Sequence, residues 1–245
     1  SGWSDSSRAR IDRAGDDACP CRATSVSLMA RVKSKTRTGK HEKTDGADSA
    51  PTPAGSPFDV LGLSTVLVKA VSDSGYAQPT PIQLEAIPLI LHGRDIIGLA
   101  QTGTGKTAAF TLPIADRLLS GPHRLRALVL TPTRELCQQV ERSFRKYAQH
   151  TSLVVTSIYG GVGMEPQEKG LRHGVDVIVA TPGRLIDHLE RGNVKFDDLE
   201  VLVLDEADRM LDMGFAPQIN RLVWAIQPYR QTLLFSATMP PEVEV

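Results

Sequence analysis

Three observations predict an α/β fold, a doubly wound parallel sheet in three α/β/α layers. Short apolar runs rich in β-branched residues recur from Phe58 onward. Each run is continuous rather than alternating, as expected for strands covered on both faces. Helical periodicity separates one run from the next, which is the signature of βαβ units. The first run, DIIGLA (95–100), precedes a helical pattern over 107–119. RALVLTP (126–132) leads to a helix at 133–148, and LVVTSIY (153–159) to one at about 164–172. DVIVATP (176–182) is followed by a helix at 183–190, and VLVLDEA (201–207) by one at about 216–226. QTLLFSA (231–237) closes the series. In such sheets ligands bind beyond the carboxyl ends of the strands. Trp224, on an apolar helix face, is expected in the core.

The 245 residues allow one large domain or two small ones, and 41% apolar residues suffice for a sizeable core. Formal net charge is zero but unevenly spread. Residues 1–57 carry 10 Lys+Arg against 7 Asp+Glu, and residues 58–245 carry 18 against 21. A slightly acidic folded part does not advertise nucleic acid by bulk charge, so any such claim must rest on particular residues. Three cysteines, Cys19, Cys21 and Cys137, make no disulfide framework. Cys19-Pro-Cys21 lacks the second pair a zinc site needs, and Cys137 reads as a small buried side chain. No apolar run approaches the ~18 residues of a membrane span. The expected setting is soluble, reducing and cytoplasmic. His92, His123 and His173 sit at apparent turns and receive no role.

Residues 1–57 read as a disordered tail, with six Lys/Arg in RVKSKTRTGKHEK (31–43) and a Pro-rich linker, SAPTPAGSP. Met29 is an alternative natural start.

The stretch GLAQTGTGKT (98–107) joins an expected strand to an expected helix. Gly103 and Gly105 permit backbone angles and close approach that a Cβ forbids. Successive N–H groups and the helix start then face phosphates. Lys106 suits the β and γ phosphates, and the Thr107 hydroxyl suits magnesium. Ala100 stands where the common phosphate loop begins with glycine. A triphosphate site also needs acids, and VLVLDEAD supplies them at a strand end. Asp205 would hold the metal, directly or through water, and Glu206 would orient the attacking water as general base.

These letters resemble the DEAD-box RNA helicases. Asp205-Glu206-Ala207-Asp208 matches that family's signature, and GYAQPTPIQ (75–83) is similar to its adenine-reading Q motif. AQTGTGKT resembles motif I, in which alanine commonly opens the loop. PTRELCQQ (132–139) resembles motif Ia, the glycine pair 160–161 the one that follows it, TPGR (181–184) motif Ib and SAT (236–238) motif III. GVDVIVATPGRLIDHL and DEADRMLDMGF look like the bacterial RhlE kind.

The resemblance implies a RecA-like domain over 58–245 that binds ATP and magnesium. Gln83 would read the adenine edge, and Phe58 is a candidate for stacking on the base, with ordinary core as the equal alternative. Ala100, Gln101, Thr102, Gly103, Thr104, Gly105, Lys106 and Thr107 would hold the phosphates, with Tyr76 and Thr80 bracing the loop. Pro132, Thr133, Arg134, Gly160, Gly161, Thr181, Pro182, Gly183 and Arg184 would grip the RNA backbone without reading bases. Asp208, Ser236, Ala237 and Thr238 would couple nucleotide state to that face. A second RecA-like domain, with its arginines, has no match here, so the expectation is the amino-terminal half of a helicase, weakly active alone. The alternatives are a DNA-directed ATPase, a non-enzymatic regulatory module and a P-loop kinase. Protein partners are not written in the sequence.

Overall fold

The computed structural model describes residues 56–238. The expected tail, its basic stretch, Cys19, Cys21 and Met29 lie outside these residues.

All six expected strands form: β1 (Ile96–Leu99), β2 (Ala127–Leu130), β3 (Val155–Ile158), β4 (Val177–Ala180), β5 (Val201–Asp205) and β6 (Gln231–Ser236). They make one sheet in the order β1-β6-β5-β2-β4-β3, and every pairing is parallel. Among the described residues eight α-helices accompany them: α1 (Thr65–Asp73), α2 (Pro81–Leu91), α3 (Lys106–Leu118), α4 (Arg134–Tyr147), α5 (Met164–Arg172), α6 (Pro182–Glu190), α7 (Ala207–Asp212) and α8 (Ala216–Ala225).

Strand residues alternate between two cores. Val129, Val179, Val203 and Phe235 pack on one face with Ile82 of α2, Phe110 of α3 and Phe144 of α4. Leu128, Leu130, Ile178 and Leu202 pack on the other with Leu185 of α6, Met210 of α7 and Leu222 of α8. Continuous apolar strands are what such two-sided burial requires. A third cluster joins Phe58 and α1 to the outer side of α3, through Leu67, Ala108 and Leu112. The result is three layers, as predicted.

Three helices escaped the periodicity. α2 is apolar almost throughout and carries Pro88, so it shows no stripe. α1 is short and rich in valine, and α7 has only six residues. Trp224 corrects an expectation: it is 89% exposed. The buried positions of α8 are Ile219 and Leu222, and Trp224 follows too soon to share their side.

The amino-terminal rim of the sheet is closed by structural bonds. Arg126, 6% exposed, places Nε 2.7 Å from Glu200 and donates from its terminal nitrogen to Ser120 O at 2.7 Å. Gln231 Nε2 donates to the carbonyls of Ile90 and Arg94. The open chemistry lies at the opposite rim.

Candidate nucleotide site and nucleic-acid interface

Ala100 extends β1 by donating its N–H to Ser236 O at 3.0 Å. Among the described residues the only non-glycine with positive φ is Glu206, so Ala100 meets no backbone demand for glycine. Gly103 (φ 84°) and Gly105 (φ 94°) do lie in the left-handed region. At Gly105 space forbids a side chain as well: a Cβ there would meet Gln83 Nε2 at 2.5 Å. The Thr104 hydroxyl closes the loop onto Gln101 O at 2.7 Å, leaving Gln101, Thr102 and Gly103 exposed. Lys106 then opens α3, with half-buried Thr107 beside it.

Two buried groups here have no hydrogen-bond partner, Lys106 Nζ and Asp205 Oδ1. Lys106 is 7% exposed and Asp205 2%. Burial pushes the Asp205 carboxyl up to about 7, opposed by nearby Lys106 and reinforced by Glu206. An unpaired buried charge costs several kcal/mol unless a ligand satisfies it. Both groups line one open cleft of about 250 Å³, together with Gly105, Thr107 and Glu206. Glu206 is held at φ 53°, ψ 51°, ahead of α7, and one oxygen lies 3.3 Å from Arg209. Strain at a non-glycine residue of this kind costs about 1–3 kcal/mol and concentrates at working sites.

The donor set fits magnesium as a guest held jointly with phosphates. Among the described residues there is no cluster of three or more His, Cys, Asp or Glu able to cage an ion alone. Magnesium usually takes one or two protein carboxylates and leaves the rest to water and phosphate. Asp205, with an orphaned oxygen, and the Thr107 hydroxyl are suited to that share.

Gln83 is 1% exposed and both ends of its amide are engaged. Oε1 accepts the Thr80 N–H at 3.0 Å, and Nε2 donates to Gly105 O at 3.2 Å. The amide therefore latches the start of α2 to the phosphate loop rather than standing free for a base. Thr80 Oγ1 faces the same glycine. Tyr76 accepts from the Tyr147 hydroxyl at 2.9 Å and lies under Lys146 at 5.1 Å. Phe58 is 1% exposed in the third core cluster, so its ring has no open face for stacking and the core alternative describes it.

Asp208 gathers the end of β6. One oxygen accepts the N–H groups of Ala237 (3.1 Å) and Thr238 (2.9 Å) and the Thr238 hydroxyl (3.0 Å). The Asp208 N–H points to Ser236 Oγ at 3.3 Å. Partial burial raises this carboxyl, but the Thr238 hydroxyl and the N–H groups of Arg209 and Thr238 outweigh it and hold the group below its ordinary value.

The nine residues expected on RNA come together beyond β2, β4 and β3, which are neighbours in the sheet. Thr133 caps α4, accepting Leu136 N–H at 3.2 Å, with Pro132 buried behind it. Arg134 is exposed and lies over the Tyr159 ring at 5.1 Å. Gly160, Gly161 and Gly183 are exposed, and Gly161 has φ 80°. Thr181 and Pro182 begin α6. Arg184 turns inward: it donates to Val162 O at 2.9 Å and pairs with Asp187 at 3.4 Å. Its charge is spent within the protein, unlike that of Arg134. Tyr159, Gln167 and His188, which tie this strip together, had no signal in the sequence beyond Tyr159's place before the glycine pair.

The profile of the DEAD/DEAH box helicase family matches residues 80–245. The chain belongs to this family. It is 51% identical over 191 residues to the probable ATP-dependent RNA helicase ddx27 of Dictyostelium discoideum, covering 76% of this chain and 24% of that protein. It is 47% identical to the ATP-dependent RNA helicase CshA of Limosilactobacillus reuteri, covering 76% of this chain and 38% of that one. A crystal structure of a DEAD box protein from the hyperthermophile Methanococcus jannaschii superposes with a TM-score of 0.73 at 39% identity, over 76% of this chain and 51% of that one. The chain thus spans about a quarter to two fifths of the length of these curated relatives. High identity to an amoebal protein as well as a bacterial one does not single out the RhlE kind. Among the described residues of this DEAD-box chain, no helix is long and apolar enough to cross a membrane.

Proposed function

We propose that this chain is the ATP-binding half of an RNA-remodelling ATPase. The observation that carries the reading is the pair of orphaned buried groups, Lys106 Nζ and Asp205 Oδ1, lining one cleft behind a glycine loop. A magnesium-bound triphosphate suits both at once, its phosphate oxygens facing the Lys106 ammonium and its cation the Asp205 carboxylate. Lys106 neutralises its β and γ oxygens, and the loop N–H groups with the start of α3 take the remaining charge. Thr107 and Asp205 would hold magnesium, which would supply charge neutralisation at the transferring group. Glu206, at a strained turn beside Asp205, accepts the proton of the attacking water. Release of the γ phosphate alters what the acid turn holds, and Asp208 passes that change to Ala237 and Thr238. Gln83 contributes through its latch on Gly105 O, which an adenine edge competes for.

The strip of Thr133, Arg134, Gly160, Gly161, Thr181 and Gly183 takes the RNA sugar–phosphate backbone. Exposed glycines admit phosphates close to N–H groups, and Arg134 adds one charge-assisted contact. Full turnover belongs to this half closed against a second RecA-like domain, a reading supported by the greater length of the relatives. Magnesium and ATP fit the site, and the cytoplasm fits a helicase without membrane helices among the described residues.

Calorimetry tests the carrying observation. The chain is expected to bind ATP only with magnesium present, and Lys106→Ala to bind none. Equal heats from the parent and Lys106→Ala would remove the basis of the assignment.

A further inference from the structure

The Gly160–Gly161 turn is gripped on both flanks. On one side Tyr159 O accepts Gln167 Nε2 at 3.0 Å, and on the other Val162 O accepts Arg184 at 2.9 Å. Gln167 is 9% exposed, and its Oε1 lies 3.2 Å from Nε2 of His188, which is 0% exposed. The other ring nitrogen, Nδ1, lies 3.3 Å from Asn193 Nδ2, and that amide also donates to Glu168 at 3.1 Å.

Donor logic gives this chain a direction. The Asn193 amide nitrogen can only donate, so His188 Nδ1 accepts and Nε2 carries the ring proton. Nε2–H then donates to Gln167 Oε1, which leaves the Gln167 amide nitrogen for Tyr159 O. A second ring proton would set two donors against each other at Asn193. Burial disfavours the charged ring in the same sense; Arg184 and Arg191 add to this, while Glu168 and Asp187 oppose it.

A leucine could fill the volume of His188. What the polar chain fixes instead is the direction of one carbonyl. In a trans peptide the C=O and the following N–H point opposite ways. Drawing Tyr159 O toward α5 therefore aims the Gly160 N–H away from it, and nothing lies within 4 Å of the place a Cβ on Gly160 would occupy.

We propose that His188, acting through Gln167, is a positioning residue that presents the Gly160–Gly161 turn to an RNA backbone phosphate. This rests on the reading of the strip as an RNA face. The test measures binding of a fluorescent single-stranded RNA to the 245-residue chain, with amide exchange followed along the backbone. His188→Leu is expected to weaken RNA binding about tenfold, the worth of one charge-assisted hydrogen bond. Exchange should quicken at 159–162 and not in the phosphate loop at 101–107. His188→Gln, which carries an N–H near the Nε2 position, is expected to restore both. Gln167→Leu, cutting the same chain nearer the surface, should repeat the His188→Leu result. RNA binding equal to the parent in His188→Leu and Gln167→Leu overturns the proposal while leaving the strip intact. No rescue by His188→Gln overturns it too. A parent chain that binds no RNA at all removes the strip itself, and the positioning role with it.

Discussion

Asp205→Asn should make the empty protein more stable, although it removes a residue placed in the nucleotide site. Burial raises this carboxyl from an ordinary 3.8 to about 7. That displacement corresponds to about 4 kcal/mol. Because the folded state prefers the protonated acid, its contribution is intact below pH 3.8, is lost as pH rises toward 7, and levels off above. The amide carries no charge and escapes the loss, but its new N–H donors face Lys106 and take back part of the gain. A net gain of roughly 2–3 kcal/mol at pH 7.5 raises Tm by about 5–10 °C for a domain of this size. Thermal melts in buffer free of metal and nucleotide, from pH 4.5 to 8, read the effect directly. The gap between variant and parent should be small at pH 4.5 and open toward pH 7. Magnesium with ATP should then raise the parent's Tm and leave the variant's unmoved. A variant that melts at or below the parent at pH 7.5, or a gap indifferent to pH, would refute this account of the carboxyl.

Glu206→Gln is expected to keep nucleotide affinity while phosphate release, measured with the second domain joined, falls at least ~10²-fold. Gly98→Ala puts a methyl 2.7 Å from the Phe235 ring. Such overpacking costs about 1–3 kcal/mol, visible as a lower urea midpoint. Trp224→Ala, at 89% exposure, should change stability by no more than about 0.5 kcal/mol in the same denaturation assay.

The sheet was legible because a strand buried on both faces leaves an unbroken apolar run, and all six runs became strands within a residue or two of their expected ends. The phosphate loop was legible for a related reason: Gly103 and Gly105 meet a backbone demand that few residues can satisfy. Trp224 misled because the helix face read through it is not the one that Ile219 and Leu222 bury. Gln83, Phe58 and Arg184 mark a different boundary. Their residue types suit a ligand, but where each side chain goes depends on neighbours far along the chain, such as Gly105 O for Gln83 and the helix α3 layer for Phe58. The His188–Gln167 pair joins two helices across 21 residues, and no local pattern announces it.

β6 lies between β1 and β5, so the glycine loop and the acid turn stand two strand spacings apart. With neighbours ~4.8 Å from each other, the jaw between them opens by roughly 10 Å. Main-chain ladders set that gauge, and side chains have little say in it. Trimming Leu233 or Phe235 would soften the protein without resizing the jaw, and past Ser236 the Asp208 carboxylate anchors Ala237 and Thr238 by their N–H groups.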